Sequence, residues 1–430
     1  ASHSSLGVRA AVRAGRCALA VERDQMALRI PPTVADVPGY QLQRPPLPLI
    51  YTPRSCGGAA PSCDSLLCMH KRELRRASRN ASYKAALCGR CECALCLACA
   101  KPRNLWKAPS GQTLETVTTR TDPPFTFAYN PADADMKRMR EQLVLEPVLT
   151  HAWHEATWRC CGSGGLVVDV GGNFGWYTLY SLALGCRVVV FEPVPLFREA
   201  LRLGVTLNPG FAARVELYGN VVYDTPGNYT LRVPLPGGMH KKKLGMTGMN
   251  GARGILKSDY NAKAATVSAG AVRIDDVLRG RDVCLLKADV EGYEPQVMQT
   301  AQTLLATREV PNLQLELSRT RKDAEQTCAA VKMLSRLSSL GYEFKQVPNQ
   351  LVDAELPPPD SWQQAAGPWA RLPSFPTAAT AAAAAAGGER RPKMQLAYDI
   401  DFATHSTNLV ARRRSTPLGA ASLPWPSLGC

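Results

Sequence analysis

The stretch Leu166–Ala183 reads LVVDVGGNFGWYTLYSLA. Three apolar residues run into an acid, a glycine-rich turn follows, and an amphipathic segment closes the block. That is the pattern of a buried parallel strand, a tight loop and a helix. Asp169 stands where the strand ends. Gly171, Gly172 and Gly175 are expected to let the backbone approach a ligand, because no Cβ stands in the way. The next strand, Arg187–Phe191 (RVVVF), runs into Glu192. An acid at that point is placed to accept hydrogen bonds from a ribose diol. Two strands, a glycine turn and two acids describe the nucleoside-binding half of a doubly wound sheet.

The turn is not of the dinucleotide type. The G-x-G-x-x-G pattern read from Gly171 meets Asn173 at its third position and Trp176 at its sixth, and fails. A pyrophosphate needs an uncrowded helix N-terminus, and Asn173 and Phe174 crowd it. A D-x-G-x-N-x-G loop suits a nucleoside ligand without phosphate, such as S-adenosylmethionine, and disfavours a nicotinamide or flavin oxidoreductase.

A second block, Val283–Glu294 (VCLLKADVEGYE), is a short apolar strand whose end carries Lys287, Asp289, Glu291 and Glu294. In open α/β sheets ligands sit outside the carboxyl ends of the strands, and ionisable groups crowded there are costly unless paired or used. Ahead of it, Ala271–Leu278 (AVRIDDVL) reads as a short strand and turn. Behind it, Pro311–Leu317 (PNLQLEL) reads as a strand that delivers Glu316 to the same rim.

These blocks together carry a resemblance. VVDVGGNFGWYT, VFEP at Val190–Pro193, Asn208, RIDDVL at Arg273–Leu278, LLKADVEGYE at Leu285–Glu294 and LQLELS at Leu313–Ser318 occur in this order. The chain resembles the FkbM family of S-adenosylmethionine-dependent O-methyltransferases over about residues 115–345, most specifically through K-x-D-x-E-G-x-E. The resemblance implies a class I methyltransferase fold, a Rossmann-like doubly wound sheet. It places Asp169, Gly171, Gly172, Asn173 and Gly175 at the methionine part of the cofactor S-adenosylmethionine, Glu192 at the ribose, and Asp224 towards the adenine. Gly219 and Asn220, where small apolar residues are common, depart from the family pattern.

The chemistry can be argued independently. A sulfonium methyl is already activated, so the enzyme mainly holds donor and acceptor in line. A hydroxyl acceptor must also lose its proton, which calls for a positioned base. Asp289 and Glu291 are the candidates, one as base and one as orienter, with Lys287 beneath them keeping a carboxylate ionised. Glu294 reads as the acidic first turn of a following helix. No histidine is near these acids in sequence, and no metal is assigned to them. A sugar or glycan hydroxyl is the acceptor class that suits a glycosylated, lumenal protein. A non-catalytic binding protein with a relic methyltransferase core is the competing reading, opposed by the intact Asp169, Glu192, Asp289 and Glu291.

The 430 residues carry a formal net charge of +15. Much of the excess lies in Lys71–Arg79, Arg390–Lys393 and Arg412–Arg414. Basic runs attract acidic partners, but no aromatics interleave these as a nucleic-acid stacking surface requires, so no nucleic-acid partner is expected. The tetrapeptide DPPF at Asp122–Phe125 resembles a mark of amino-methylating nucleic-acid enzymes. The segment before it, Thr116–Thr121, reads as too polar for the buried strand that mark needs.

Eight of the 15 cysteines fall between Cys56 and Cys99. They fit a disulfide framework, and Cys88/Cys91 with Cys96/Cys99 also resemble zinc knuckles, although the spacer is short. Cys186 and Cys284, in apolar strands, read as ordinary buried thiols. Two sequons, at Asn80 and Asn228, agree with the secretory pathway lumen. The acid-free, Arg-rich first 20 residues also fit an organellar transit peptide. No apolar run reaches a membrane-spanning length.

The expected organisation is a basic, Pro-rich tail (1–50), a Cys-rich module (51–105), the methyltransferase domain (110–345), a Pro/Ala-rich linker (346–393) and a returning strand within 394–411. A helix is expected over about Ala132–Trp158, and another, Ala324–Leu340, against one sheet face. The loop Pro236–Gly254 has the glycines of a lid.

Overall fold

The computed structural model describes residues 40–44, 104–133, 136, 139, 143–234, 248–249, 264–307, 310–317, 324–347 and 407–413. The Cys56–Cys99 cluster, all but the first two residues of the 346–393 linker and most of the Pro236–Gly254 loop lie outside these residues.

In chain order the elements are β1 (Gln41–Arg44), β2 (Asn104–Lys107), β3 (Thr113–Thr118), β4 (Thr126–Tyr129), α1 (Pro147–Gly162), β5 (Leu166–Val170), α2 (Trp176–Ala183), β6 (Arg187–Phe191), α3 (Pro195–Leu207), β7 (Val215–Tyr218), β8 (Val221–Val222), β9 (Asn228–Pro234), β10 (Gly248–Met249), β11 (Ala264–Val272), α4 (Ile274–Leu278), β12 (Leu285–Ala288), α5 (Glu294–Thr300), α6 (Gln302–Thr307), β13 (Asn312–Leu317), α7 (Ala324–Ser339), β14 (Tyr342–Val347) and β15 (Thr407–Arg413).

Seven strands form the central sheet in the order β14-β15-β13-β12-β5-β6-β7. The five from β13 to β7 are parallel, and β15 runs antiparallel between β13 and β14. The chain order reverses between β5 and β12, the switch point where doubly wound sheets bind ligands. This architecture fits the expected Rossmann-like class. Strand β15 overlaps the end of the segment 394–411 and lies between β13 and β14.

Alternation along β5 explains how the two faces differ. Leu166, Val168 and Val170 join α5, α7 and β14 in one core, while Val167 faces α1, α2 and α3 in the other. Asp169 belongs to the second face by the two-residue period.

A second sheet, β1-β2-β3-β4, is antiparallel throughout and packs on α3. Asn208 ties it down: its Oδ1 accepts from the Thr126 N–H at 2.8 Å and its Nδ2 donates to the Thr126 carbonyl at 2.8 Å. Here an expectation is corrected. The Thr116–Thr121 segment does supply the end of a partly buried strand: Thr116 and Val117 of β3 are buried, while Thr118 and Arg120 are exposed. The buried polar side chains of β3 are satisfied internally, Glu115 by the Tyr129 hydroxyl at 2.6 Å and Thr116 by the Trp106 indole at 3.2 Å. Residues Asp122–Phe125 join β3 to β4 in this sheet, and Phe125 packs on Trp176 and Tyr180. A third, small sheet runs β10-β9-β11-β8.

Two further expectations shift. Of the helix expected over 132–158, the described residues give α1, which starts at Pro147, where proline is tolerated in the first turn, and continues to Gly162; most of residues 134–142 lie outside the described residues. Ala271–Leu278 is the end of β11 followed by α4 rather than a strand and turn. Cys186 and Cys284 are buried but are not free thiols: Cys161 pairs with Cys186, and Cys160 with Cys284. Sequence reading missed this because Cys160 and Cys161 lie in a helix, and the strand ends they meet are distant in the chain. No described helix is long and apolar enough to cross a membrane.

Candidate active site

The ladder register builds the site. Lys287 on β12 stands opposite Asp169 on β5 and Gln314 on β13. Opposed residues of neighbouring strands share a face, so an acid, a base and an amide line up across three strands beside α2. Each is at most 4 % exposed. Lys287 Nζ lies 3.4 Å from Asp169 Oδ1 and 3.3 Å from Asp289 Oδ2, donates to the Gly171 carbonyl at 3.2 Å, and sits 5.5 Å from the centre of the Tyr177 ring. Asp169 Oδ2 accepts from the Thr178 hydroxyl at 2.7 Å. Burial works against the charge on Lys287, but Asp289 and Asp169 outweigh it and hold the ammonium above the ordinary lysine range. Burial raises Asp169, against the pull of Lys287 and Thr178.

The glycine turn takes its shape from protein contacts. Gly171 and Gly175 have φ of 82° and 92°, in the left-handed region that side chains disfavour. A Cβ on Gly171 would run into the Asp289 carbonyl, one on Gly172 into Val190, and one on Gly175 into Leu201. The expectation that these positions are bare to admit a ligand is therefore corrected. The space a Cβ would take is filled by the chain itself, which locks the turn against β6, β12 and α3.

Every backbone N–H of the turn is spent within the protein. Gly171 and Gly172 donate to the Phe191 carbonyl at 3.0 and 3.1 Å, Asn173 to Glu192 Oε2 at 2.7 Å, Phe174 to the Asn173 side chain at 2.8 Å, and Gly175 to the Gly172 carbonyl at 2.7 Å. The N–H groups of residues 171–175 are thus not free to hold a phosphate. Asn173 itself has a left-handed φ of 48°, which its side-chain bond to the next residue helps to hold.

Glu192 is 4 % exposed and accepts from the N–H groups of Asn173 and Val194 at 2.7 and 2.8 Å. Burial pushes its carboxyl up to about 7, with those two N–H groups and Arg198 opposing.

Asp289 and Glu291 are partly exposed after the end of β12. Glu291 has a left-handed φ of 56°. Glu294 is buried and closes the loop, accepting from Val290 and Gly292 N–H at 3.0 and 3.1 Å. This matches its reading as the acid of the α5 first turn. Burial pushes it up to about 8. Glu316 comes to the same rim. Burial, and then the charges of Asp289, Glu146 and Glu291, raise it well above the usual carboxylate range.

Two contributors escaped the sequence reading. Glu146, at the start of α1 with a left-handed φ of 44°, accepts from the Tyr177 hydroxyl at 2.7 Å. Gln314 completes the cross-strand row. Glu146 has no motif around it, but Gln314 was legible as a polar residue in the apolar PNLQLEL strand. Asp224 lies between β8 and β9, where its carbonyl accepts from Arg273 at 3.2 Å and its Oδ1 from Thr225 at 3.3 Å.

With this geometry in place, residues 169–344 match the family described as the methyltransferase FkbM domain, in agreement with the resemblance carried by the motifs. Among solved structures the chain is similar to methyltransferase FkbM from Methylobacillus flagellatus KT, at 18% identity and a TM-score of 0.24 over 36% of this chain and 32% of that one. The chain thus spans about a third of the length of that protein. No curated protein matches it.

Proposed function

From an FkbM methyltransferase domain over residues 169–344, we propose that this protein is an S-adenosylmethionine-dependent O-methyltransferase acting on a hydroxyl acceptor, with a sugar or glycan as the acceptor class. One observation carries the cofactor assignment. The N–H groups of the turn after β5 are taken up within the protein, and one of them, that of Asn173, is held by the buried carboxylate of Glu192 at the end of β6, where an acid can accept from a ribose diol. A nucleoside without a phosphate fits that cradle, and a dinucleotide does not.

S-Adenosylmethionine supplies a methyl group already activated on a sulfonium. The chain supplies position and proton transfer. Glu192 holds the ribose hydroxyls, and Asp169, fixed by Thr178 and Lys287, holds the cationic methionine end together with Asn173. Lys287 anchors Asp289 at 3.3 Å, which makes Asp289 the orienter of the acceptor hydroxyl and leaves Glu291 as the base that takes its proton. Glu316, its carboxyl raised by burial and three neighbouring acids, stands at the same rim and would face the acceptor.

Calorimetric titration of the full chain with S-adenosylmethionine, S-adenosylhomocysteine and NAD tests the reading, with Asp169→Asn as the conservative variant. Binding of both adenosyl ligands, weakened at least about tenfold in the variant and absent for NAD, is expected. Folded protein that binds neither adenosyl ligand overturns the proposal.

A further inference from the structure

Four cysteines from three separate segments converge at the amino ends of β5, β6 and β12. Cys160 and Cys161 close α1, Cys186 precedes β6, and Cys284 precedes β12. The sulfurs of Cys160, Cys186 and Cys284 lie within 4.8 Å of one another, and Cys161 is bonded to Cys186. Three sulfurs this close, with the Cys161 sulfur bonded to one of them, bring together the four donors of a closed tetrathiolate zinc site, whose 2.3 Å zinc–sulfur bonds put the sulfurs about 3.8 Å apart.

The surroundings are shaped for sulfur and for negative charge. A Cβ on Gly165 would run into the sulfurs of both Cys160 and Cys284, so this glycine leaves the space they occupy. Arg214 donates to the Cys186 carbonyl at 3.0 Å and Arg187 to the Gly164 carbonyl at 3.1 Å. These two guanidinium groups, bonded to backbone carbonyls beside the cluster, carry the sign of charge that offsets the net −2 of a zinc tetrathiolate.

We propose that Cys160, Cys161, Cys186 and Cys284 form a zinc(II) site in the reduced protein, and that the two disulfides are its oxidised, metal-free form. Two molecules of a dithiol reductant would each open one disulfide, giving four cysteine thiols and two oxidised reductant molecules. One zinc ion then forms four zinc–sulfur bonds as four protons leave. With no position left open for water, the site is structural. It anchors the C-terminal end of α1, whose other end carries Glu146, 16 residues and about 24 Å of helix away.

The test uses the full chain, reduced without oxygen by a phosphine and freed of reductant. Iodoacetamide labelling is followed residue by residue by mass spectrometry, with and without equimolar zinc. All four cysteines should be alkylated on the order of tenfold more slowly with zinc, as one set. Protection of only two, equal rates with and without zinc, or disulfides that stay closed in the folded protein would each overturn the proposal. Because the Cys56–Cys99 cluster offers other thiols, bound cobalt(II) is also counted in wild type and in C186S/C284S. The variant should hold one metal fewer per chain, and equal counts would sink the site. If the variant does not fold, the labelling of the wild type decides.

Discussion

The same three strands end in opposite chemistries. At their carboxyl ends, β5, β6 and β12 present Asp169, Glu192, Lys287 and Asp289, charges held close together by register. At their amino ends they meet four paired cysteines. Between the two, Val167, Val188 and Leu285 keep the shared face apolar. The difference teaches how the sheet divides its work. The amino ends are covalently tied, and their loss should cost stability alone. The carboxyl ends hold buried charge that stays satisfied only while every partner is present, and their loss should cost both stability and binding.

Lys287 is the place where that contrast breaks most sharply. Removing one member of a buried ion pair strands the others, at about 3–5 kcal/mol. Lys287→Ala leaves Asp169, 1 % exposed, without its cation. It is expected to lower unfolding free energy by that amount in urea denaturation and to abolish S-adenosylmethionine binding. Asp169→Asn combined with Lys287→Met removes both charges and should recover much of the stability but none of the binding. If the single and double variants are equally unstable, the row is not an ion-pair network.

The opposite end gives the complementary result. Cys161 and Cys186 are separated by 25 positions in the chain, and losing a crosslink over such a span costs about 3 kcal/mol in the chain-entropy account. Under oxidising conditions, C161A/C186A should melt earlier by a matching amount while its S-adenosylmethionine affinity stays within about twofold. A large affinity loss would show that the two ends are coupled through the sheet.

What could be read from sequence follows the same division. The strand–turn–helix at Leu166–Ala183, Glu192 and the charged end of β12 were legible because each lies in one continuous segment with a periodic apolar run. The structure brings them together in a single neighbourhood. The reason for the glycines was not legible, since the groups filling their Cβ positions, the Asp289 carbonyl and the Val190 and Leu201 side chains, come from other segments. Glu146 was hidden for the same reason. Only the packing of α1 on α2 brings it to Tyr177. The cysteine pairs join residues 124 and 25 positions apart, and spacing in a single chain does not announce such pairs. The buried β3 was misread because its Glu115 and Thr116 find partners on the adjoining strands that composition does not reveal.

Glu192 gives the smallest effect and the finest resolution of the carboxyl-end chemistry. Its carboxyl is raised to about 7 by burial. An acid raised in the folded state favours folding below its unfolded pKa and loses that contribution as pH rises through the folded value. Without ligand, Glu192 therefore makes the fold less stable as pH rises through about 7. Ligand binding runs the other way, because ribose hydroxyls donate and the carboxylate is the better acceptor. Between about pH 6 and pH 8 its ionised fraction climbs from roughly one tenth to roughly nine tenths. S-Adenosylmethionine should then bind about tenfold more tightly at the higher pH, read by calorimetry in buffers of matched ionic strength. Glu192→Gln should bind weakly and without that slope, since the amide keeps the shape but not the titration. A slope that persists in the glutamine variant would move the titrating group to Asp169, which burial also raises, and would remove Glu192 from the ribose.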